Sequence, residues 1–129
     1  MPIDHIGLNV PDVPVALAYY DELFGMLGYV RGWETGYRPH DWYGAQVFIY
    51  PATEAGEHSR LRTGFSHLAF YVHTRDEVQR VHDWAIAKGH EVLHAPRPFP
   101  EYGQHCFATH FLDLHRFHIE VSTHQDPNA

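Results

Sequence analysis

The sequence predicts an α+β fold in which two repeated βαβββ modules form a single domain over residues 1–129. Two observations carry this prediction. Strand-like segments that begin with His-Ile-Gly and His-Leu-Ala recur at an offset of 62 residues, and a helix start follows each of them at the same offset. An internal repeat of this kind indicates a duplicated structural unit. Module 1 is predicted to cover residues 1–56 and module 2 residues 62–124.

The first module opens with a strand at His5–Val10, where side chains of opposite polarity alternate. Asp12 is suited to cap the helix that follows, because its carboxylate can accept from an early amide. Gly28 can take the left-handed conformation that ends a helix. The remaining strands of this module are predicted at Tyr29–Trp33, Gly36–Trp42 and Ala45–Tyr50.

The second module repeats this order from a strand at His67–Val72. Thr74 and Glu77 form a capping box at the helix start, and Gly89 ends the helix. Three further strands are predicted at Glu91–His94, Cys106–Leu112 and Phe117–Ser122. Two polar or proline-rich segments are predicted to be irregular, the linker Pro51–Arg62 and the loop Pro96–Gly103.

The composition excludes several classes of protein. A chain that is 44% hydrophobic can bury a core, so it is not disordered. A net charge of −7 without a basic patch argues against a nucleic-acid partner. No apolar run approaches the roughly 20 residues of a membrane-spanning helix. With one cysteine the chain cannot form an internal disulfide, which favours the cytoplasm.

Three potential metal ligands are predicted to share one face of the sheets. Successive side chains of a strand point to opposite faces, and the apolar rows should face the helices. His5 and His67 then point to the concave side, and so does Glu120 in the last strand. Two histidines and one carboxylate form a triad that leaves coordination positions open, as metal catalysts require.

Three segments resemble the marker segments of the vicinal oxygen chelate superfamily. They are Asp4-His5-Ile6-Gly7, Ser66-His67-Leu68-Ala69 and the run from Phe111 to Glu120. This superfamily includes glyoxalase I, fosfomycin-resistance proteins, extradiol dioxygenases, methylmalonyl-CoA epimerase and bleomycin-resistance proteins. The resemblance implies a cup-shaped mixed sheet with a divalent metal ion at its base, held by His5, His67 and Glu120.

The sequence departs from the family pattern at two places. The family often has Asp-Pro-Asp-Gly before the final strand, where this chain has Asp113-Leu114-His115-Arg116 and lacks the glycine. Glyoxalase I carries a further glutamate on the last strand of the first module, where this chain has no carboxylate facing the cup. Gln46 on that strand is a candidate fourth ligand, as a glutamine is in some epimerases.

Further candidates line the predicted cup. His118 shares a face with Glu120 and is a candidate acid or base. Tyr102 and His105 lie on the loop before the seventh strand, from which family members contact substrate. On the first module the predicted substrate-lining residues are Gln46, Phe48 and Tyr50, and an aromatic wall of Trp33, Trp42, Tyr43, Phe48 and Tyr50 would suit a planar substrate, although these rings could equally be core.

The resemblance implies an enzyme that uses Fe²⁺, Zn²⁺, Mn²⁺ or Ni²⁺ and binds two adjacent oxygens of a small substrate to the metal. The absent carboxylate and the aromatic residues favour dioxygenase-like chemistry, with lyase or transferase chemistry as alternatives. A metal-free drug-binding protein, like the bleomycin-resistance proteins, is the rival prediction. Family members commonly dimerise, so a homodimer is expected in which His5 of one chain completes the site of the other.

Overall fold

A computed structural model describes residues 2–129, and the chain forms two compact units, Met1–Gly56 and Glu57–Ala129. The first unit contains β1 (His5–Val10), α1 (Val13–Met26), β2 (Tyr29–Trp33), β3 (Gly36–Pro39) and β4 (Gln46–Pro51). The second contains β5 (Leu68–Tyr71), α2 (Arg75–Ala87), β6 (Val92–Pro98), a 3₁₀ turn at Pro100–Tyr102, β7 (Phe107–Leu112) and β8 (His118–Thr123).

The two units have the same topology. Their four-stranded mixed sheets have the orders β1-β4-β3-β2 and β5-β8-β7-β6, with the first and last strands of each unit parallel. A long connection that carries a helix is what parallel neighbours require. The predicted α+β fold of two βαβββ modules is therefore confirmed.

The first unit has a core between its sheet and α1. Val47 and Ile49 of β4 are buried, as are Tyr20 and Phe24 of the helix. Asp12 caps α1 as predicted, since its carboxylate accepts from the Val15 amide at 3.1 Å. The side chains between the buried positions of β4 lie on the opposite face of the sheet. The β1 residues that pair with them share that face.

The second unit packs α2 on its sheet through Val78, Val81 and Ala85, all of them buried. Thr74 caps the helix as predicted, since the Glu77 amide donates to Thr74 Oγ1 at 3.2 Å, and the Glu77 carboxylate accepts from the Thr74 hydroxyl at 3.1 Å. Both helices end before a glycine with positive φ, Gly28 at 84° and Gly89 at 79°.

The structure corrects several predicted boundaries. β3 ends at Pro39 rather than at Trp42, and Pro51, predicted to begin the linker, is the last residue of β4. Residues Pro96–Pro98 were expected in a loop but belong to β6, because its register shifts between His94 and Arg97 let the strand accommodate residues without an amide donor. β5 begins at Leu68, so His67 directly precedes the strand that was predicted to include it.

The turn between β7 and β8 forms without glycine. Arg116 takes the left-handed conformation, with φ at 61°. The Asp113 carboxylate accepts from the amides of His115 at 2.8 Å and Phe117 at 3.0 Å, and these bonds hold the turn. No helix among residues 2–129 is long and apolar enough to cross a membrane.

Candidate metal centre

His5 and His67 are oriented in the same way by the residue before each of them. His5 Nδ1 lies 2.6 Å from the Asp4 carboxylate, and His67 Nδ1 lies 2.9 Å from the Ser66 hydroxyl. When Nδ1 carries the proton and donates to such a partner, Nε2 keeps its lone pair. Histidines that bind metal are usually arranged in this way. Both side chains remain accessible, with 51% of His5 and 37% of His67 exposed.

Glu120 lies beside His67 in the second unit. It is paired with Ala69 across the β5–β8 ladder, and its Oε1 is 3.2 Å from His67 Nε2. Two atoms that each bind one ion at about 2.0–2.2 Å are themselves about 3 Å apart. The His67–Glu120 pair therefore has a spacing that fits two ligands of one divalent ion.

The third predicted ligand, His5, belongs to the first unit. Within residues 2–129 no group of three or more His, Cys, Asp or Glu side chains is arranged to hold a metal ion. The structure thus brings together two of the three predicted ligands, His67 and Glu120.

Two further histidines, the buried His110 and the half-buried His118, lie next to Glu120. His110 stands directly opposite Glu120 in the β7–β8 ladder, and its Nδ1 is 2.8 Å from His118 Nε2. Burial lowers the pKa of His110 to about 4, with His118 adding to the effect. Burial also lowers the pKa of His118 to about 4, with His67 adding to the effect. Both rings are therefore neutral near pH 7.

His118, a predicted acid or base, contacts both His110 and His67. Its ring stacks on that of His67 with 4.7 Å between centroids. Its Nδ1 is buried and has no hydrogen-bond partner among the described residues. The catalytic role of His118 stays a prediction.

Tyr102 and His105, the other predicted catalytic residues, lie in the same unit between β6 and β7. Tyr102 is 69% exposed and stacks on Phe99, whose ring in turn contacts His110 with 5.3 Å between centroids. His105 lies 3.8 Å from the Asp126 carboxylate. Tyr102 is thus linked to His110 through the ring of Phe99.

The three residues predicted to line the substrate site share one face of the first unit's sheet with His5. Gln46 is paired with His5 across the β1–β4 ladder. The Phe48 ring meets His5 edge to face, with 5.6 Å between centroids. Tyr50 covers Gly7, where an added Cβ would come within 2.9 Å of the Tyr50 ring.

The aromatic wall is partly formed. Trp33 contacts Phe48 with 5.1 Å between centroids and Trp42 with 6.2 Å. The Arg38 guanidinium stacks over the Trp42 ring at 4.2 Å. Trp33 and Trp42 are 40% and 57% exposed, so they form surface rather than core.

Comparisons with known proteins identify the family to which this chain belongs. The model of the Glyoxalase/Bleomycin resistance protein/Dioxygenase superfamily matches residues 2–121. The chain belongs to this superfamily. The uncharacterized protein YqjT of Bacillus subtilis is 28% identical over 122 residues, covering 91% of this chain and 94% of that protein.

Solved structures of the superfamily share the fold. A glyoxalase/dioxygenase from Nostoc punctiforme has a TM-score of 0.73 at 18% identity, over 96% of this chain and 91% of that one. The fosfomycin resistance protein FosX from Listeria monocytogenes has a TM-score of 0.69 at 18% identity, over 97% of this chain and 94% of that one. At this identity the likeness shows the fold alone.

Proposed function

We propose that this protein is an enzyme that binds a divalent metal ion through His67 and Glu120, with His5 as the third ligand. The observation that carries the proposal is the 3.2 Å approach of His67 Nε2 to Glu120 Oε1. It is supported by the matching Nδ1 partners of His5 and His67, which leave each Nε2 suited to a metal.

The donor set suits Fe²⁺, Zn²⁺, Mn²⁺ or Ni²⁺, since imidazole and carboxylate ligands are common to all four. An ion bound there supplies Lewis acidity and open coordination positions for two adjacent oxygens of a small substrate. His67 and Glu120 hold that position, and the neutral His118 lies against His67, where it is a candidate to take or give a proton.

The substrate we favour is a planar, catechol-like compound. The residue of the first unit that corresponds to Glu120 is Phe48, because Gly7 pairs with Phe48 and Ala69 with Glu120. A further carboxylate, as in glyoxalase I, is therefore replaced by a ring. Phe48 and Trp33 offer an apolar surface beside His5. This combination favours dioxygenase-like chemistry over lyase or transferase chemistry.

The test is elemental analysis of protein purified without chelators, followed by a turnover screen. Catechols, hemithioacetals and fosfomycin would each be offered with Fe²⁺, Mn²⁺, Ni²⁺ and Zn²⁺. We expect a stoichiometric metal and ring cleavage of a catechol with Fe²⁺. A protein that takes up no metal under any of these conditions, yet binds bleomycin, would support the rival drug-binding function.

We further propose a cytoplasmic homodimer in which His5 of one chain serves the site of the other. An interface of the obligate kind should bury more than about 2,000 Å² in total. His5→Ala and His67→Ala proteins would be mixed and allowed to exchange subunits. The mixed dimer should regain about one intact metal site. Failure to regain metal after proven exchange would place all three ligands in a single chain.

A further inference from the structure

His110 is a buried histidine for which the proposed mechanism has no use. Its side chain contacts two residues of the candidate centre. Its Nδ1 is 2.8 Å from His118 Nε2, and its Nε2 is 3.7 Å from Glu120 Oε1. The residue is 8% exposed, and Nε2 has no hydrogen-bond partner among the described residues. Leaving a buried polar atom unpaired is destabilising, so this atom requires an explanation.

The contact with His118 allows two arrangements of protons. In an N–H···N hydrogen bond one nitrogen donates and the other accepts. If His110 donates from Nδ1, its Nε2 is a bare lone pair that faces the negative oxygen of Glu120. If His118 donates from Nε2, His110 Nδ1 accepts, and His110 Nε2 carries the proton toward Glu120. Only the second arrangement makes both contacts attractive.

We propose that His110 is a positioning residue for Glu120. Its Nε2–H donates to the Glu120 carboxylate, and its Nδ1 fixes His118 as the Nε2–H tautomer. A shift of less than about 1 Å brings the 3.7 Å separation into hydrogen-bond range. This inference rests on the proposed role of Glu120 as a ligand, since orienting that carboxylate toward the ion is what His110 contributes.

The surroundings of His110 hold its ring in place for this role. The backbone fixes it directly opposite Glu120 across the β7–β8 ladder. The ring of His94 packs against it edge to face at 5.1 Å between centroids, and that of Phe99 packs at 5.3 Å. A ring confined on several sides and in one tautomer can hold a neighbouring carboxylate within the narrow range of orientations that a metal site needs.

The first test measures the tautomers directly. Long-range ¹H–¹⁵N spectra of protein labelled at histidine would be recorded at neutral pH with chelator present. We expect His110 and His118 both to be protonated at Nε2 and bare at Nδ1, with the assignment made from single His110→Gln and His118→Gln spectra. Finding His110 protonated at Nδ1, or at both nitrogens, would overturn the proposal. The spectra need no metal, so they stand whether or not the proposed function does.

The second test uses two variants of similar size that keep different parts of the ring. His110→Gln places an amide nitrogen near the position of Nε2, whereas His110→Asn places one near Nδ1. We expect His110→Gln to keep metal affinity within about threefold and His110→Asn to lose roughly 10–100-fold. Equal losses in both would indicate packing rather than positioning, and unchanged affinity in both would also overturn the proposal. A wild-type protein that binds no metal would refute the proposed function. The spectra alone would then decide whether His110 and His118 have the proposed tautomers.

Discussion

The two repeats share a backbone plan but present different chemistry on the equivalent face of their sheets. In the first, the small Gly7 pairs with Phe48 across the parallel strands; in the second, the small Ala69 pairs with Glu120. The same register thus places an aromatic ring in one unit and a carboxylate in the other. The buried residues thus give both units the same fold, while the opposite face carries different side chains in each.

The histidines follow the same division. Of the 13 in the chain, His5 and His40 lie in the first unit and the other eleven in the second. The second unit therefore supplies two candidate ligands and the histidines around them, whereas the first supplies one candidate ligand and aromatic surface.

The largest effect is expected for the second unit's ligand. His67→Ala should lower metal affinity by more than about 100-fold, beyond the roughly 10–100-fold typical of a residue that only supports a ligand. Because His67 is partly exposed, the thermal midpoint of metal-free protein should barely change. The exposed His73→Ala, measured alongside by titration calorimetry, is the matched control. Equal affinities of the two variants would remove His67 from the site.

The next effect compares the residues that orient the two histidines. Asp4 offers a charged acceptor to His5 at 2.6 Å, and Ser66 a neutral hydroxyl to His67 at 2.9 Å. A charged acceptor makes the stronger hydrogen bond and the more basic imidazole. Asp4→Asn should therefore weaken metal binding by roughly 10-fold or more, and Ser66→Ala by less.

Competition with a chromophoric chelator would measure both affinities. A larger loss in Ser66→Ala than in Asp4→Asn would show that the first unit's histidine is the lesser ligand.

A smaller effect is expected from making the first unit resemble the second. Phe48→Glu places a carboxylate at the position that corresponds to Glu120, and metal binding should become tighter. The loss of ring packing against Trp33 should lower the free energy of unfolding by about 1–2 kcal/mol.

Phe48→Gln has the same shape without the charge, so it is the control for Phe48→Glu. Calorimetry and urea unfolding would be run on both variants. Equal metal affinities of the two variants would show that a carboxylate at position 48 does not bind the metal, although this position corresponds to Glu120.

The smallest effect concerns the small residues beneath the open face. A Cβ on Gly7 would lie 2.9 Å from the Tyr50 ring, whereas in the second unit Ala69 is accommodated and Ser122 stands at the position corresponding to Tyr50. Because Tyr50 is 46% exposed and can swing away, Gly7→Ala should cost less than about 1 kcal/mol. In a Tyr50→Ser background the same change should be neutral or stabilising, since alanine suits a strand better than glycine. Urea unfolding would measure Gly7→Ala in both backgrounds. If it lowers the free energy of unfolding equally with and without Tyr50→Ser, the cost comes from the backbone and not from the Tyr50 ring.

The fold could be predicted from the sequence where patterning is strict. β1 alternates in polarity because one of its faces packs on the core and the other is open, and the helix caps at Asp12 and Thr74 and the helix stop at Gly89 follow from local sequence. The extent of β6 could not be predicted, because Pro96 and Pro98 normally indicate the end of a strand. Only the pairing with β7 shows that the strand continues through both prolines.

The candidate site was predictable only in part. His67 and Glu120 follow from parity on strands with an open face. His110 was missed because β7 is buried along nearly its whole length, so no alternation marks the face it occupies. Pairing β7 with β8 would have revealed it, since His110 then falls opposite Glu120. Which residues join His5 could not be predicted from the pattern of its own strand.

The glycine-free turn before β8 is held by a side chain rather than by backbone freedom. A non-glycine residue in the left-handed conformation costs about 1 kcal/mol, yet Arg116 is tolerated because the Asp113 carboxylate supplies the hydrogen bonds that shape the turn. The shape of this turn therefore depends on the carboxylate of Asp113, whereas the residue at position 116 only sets how much backbone strain the turn retains.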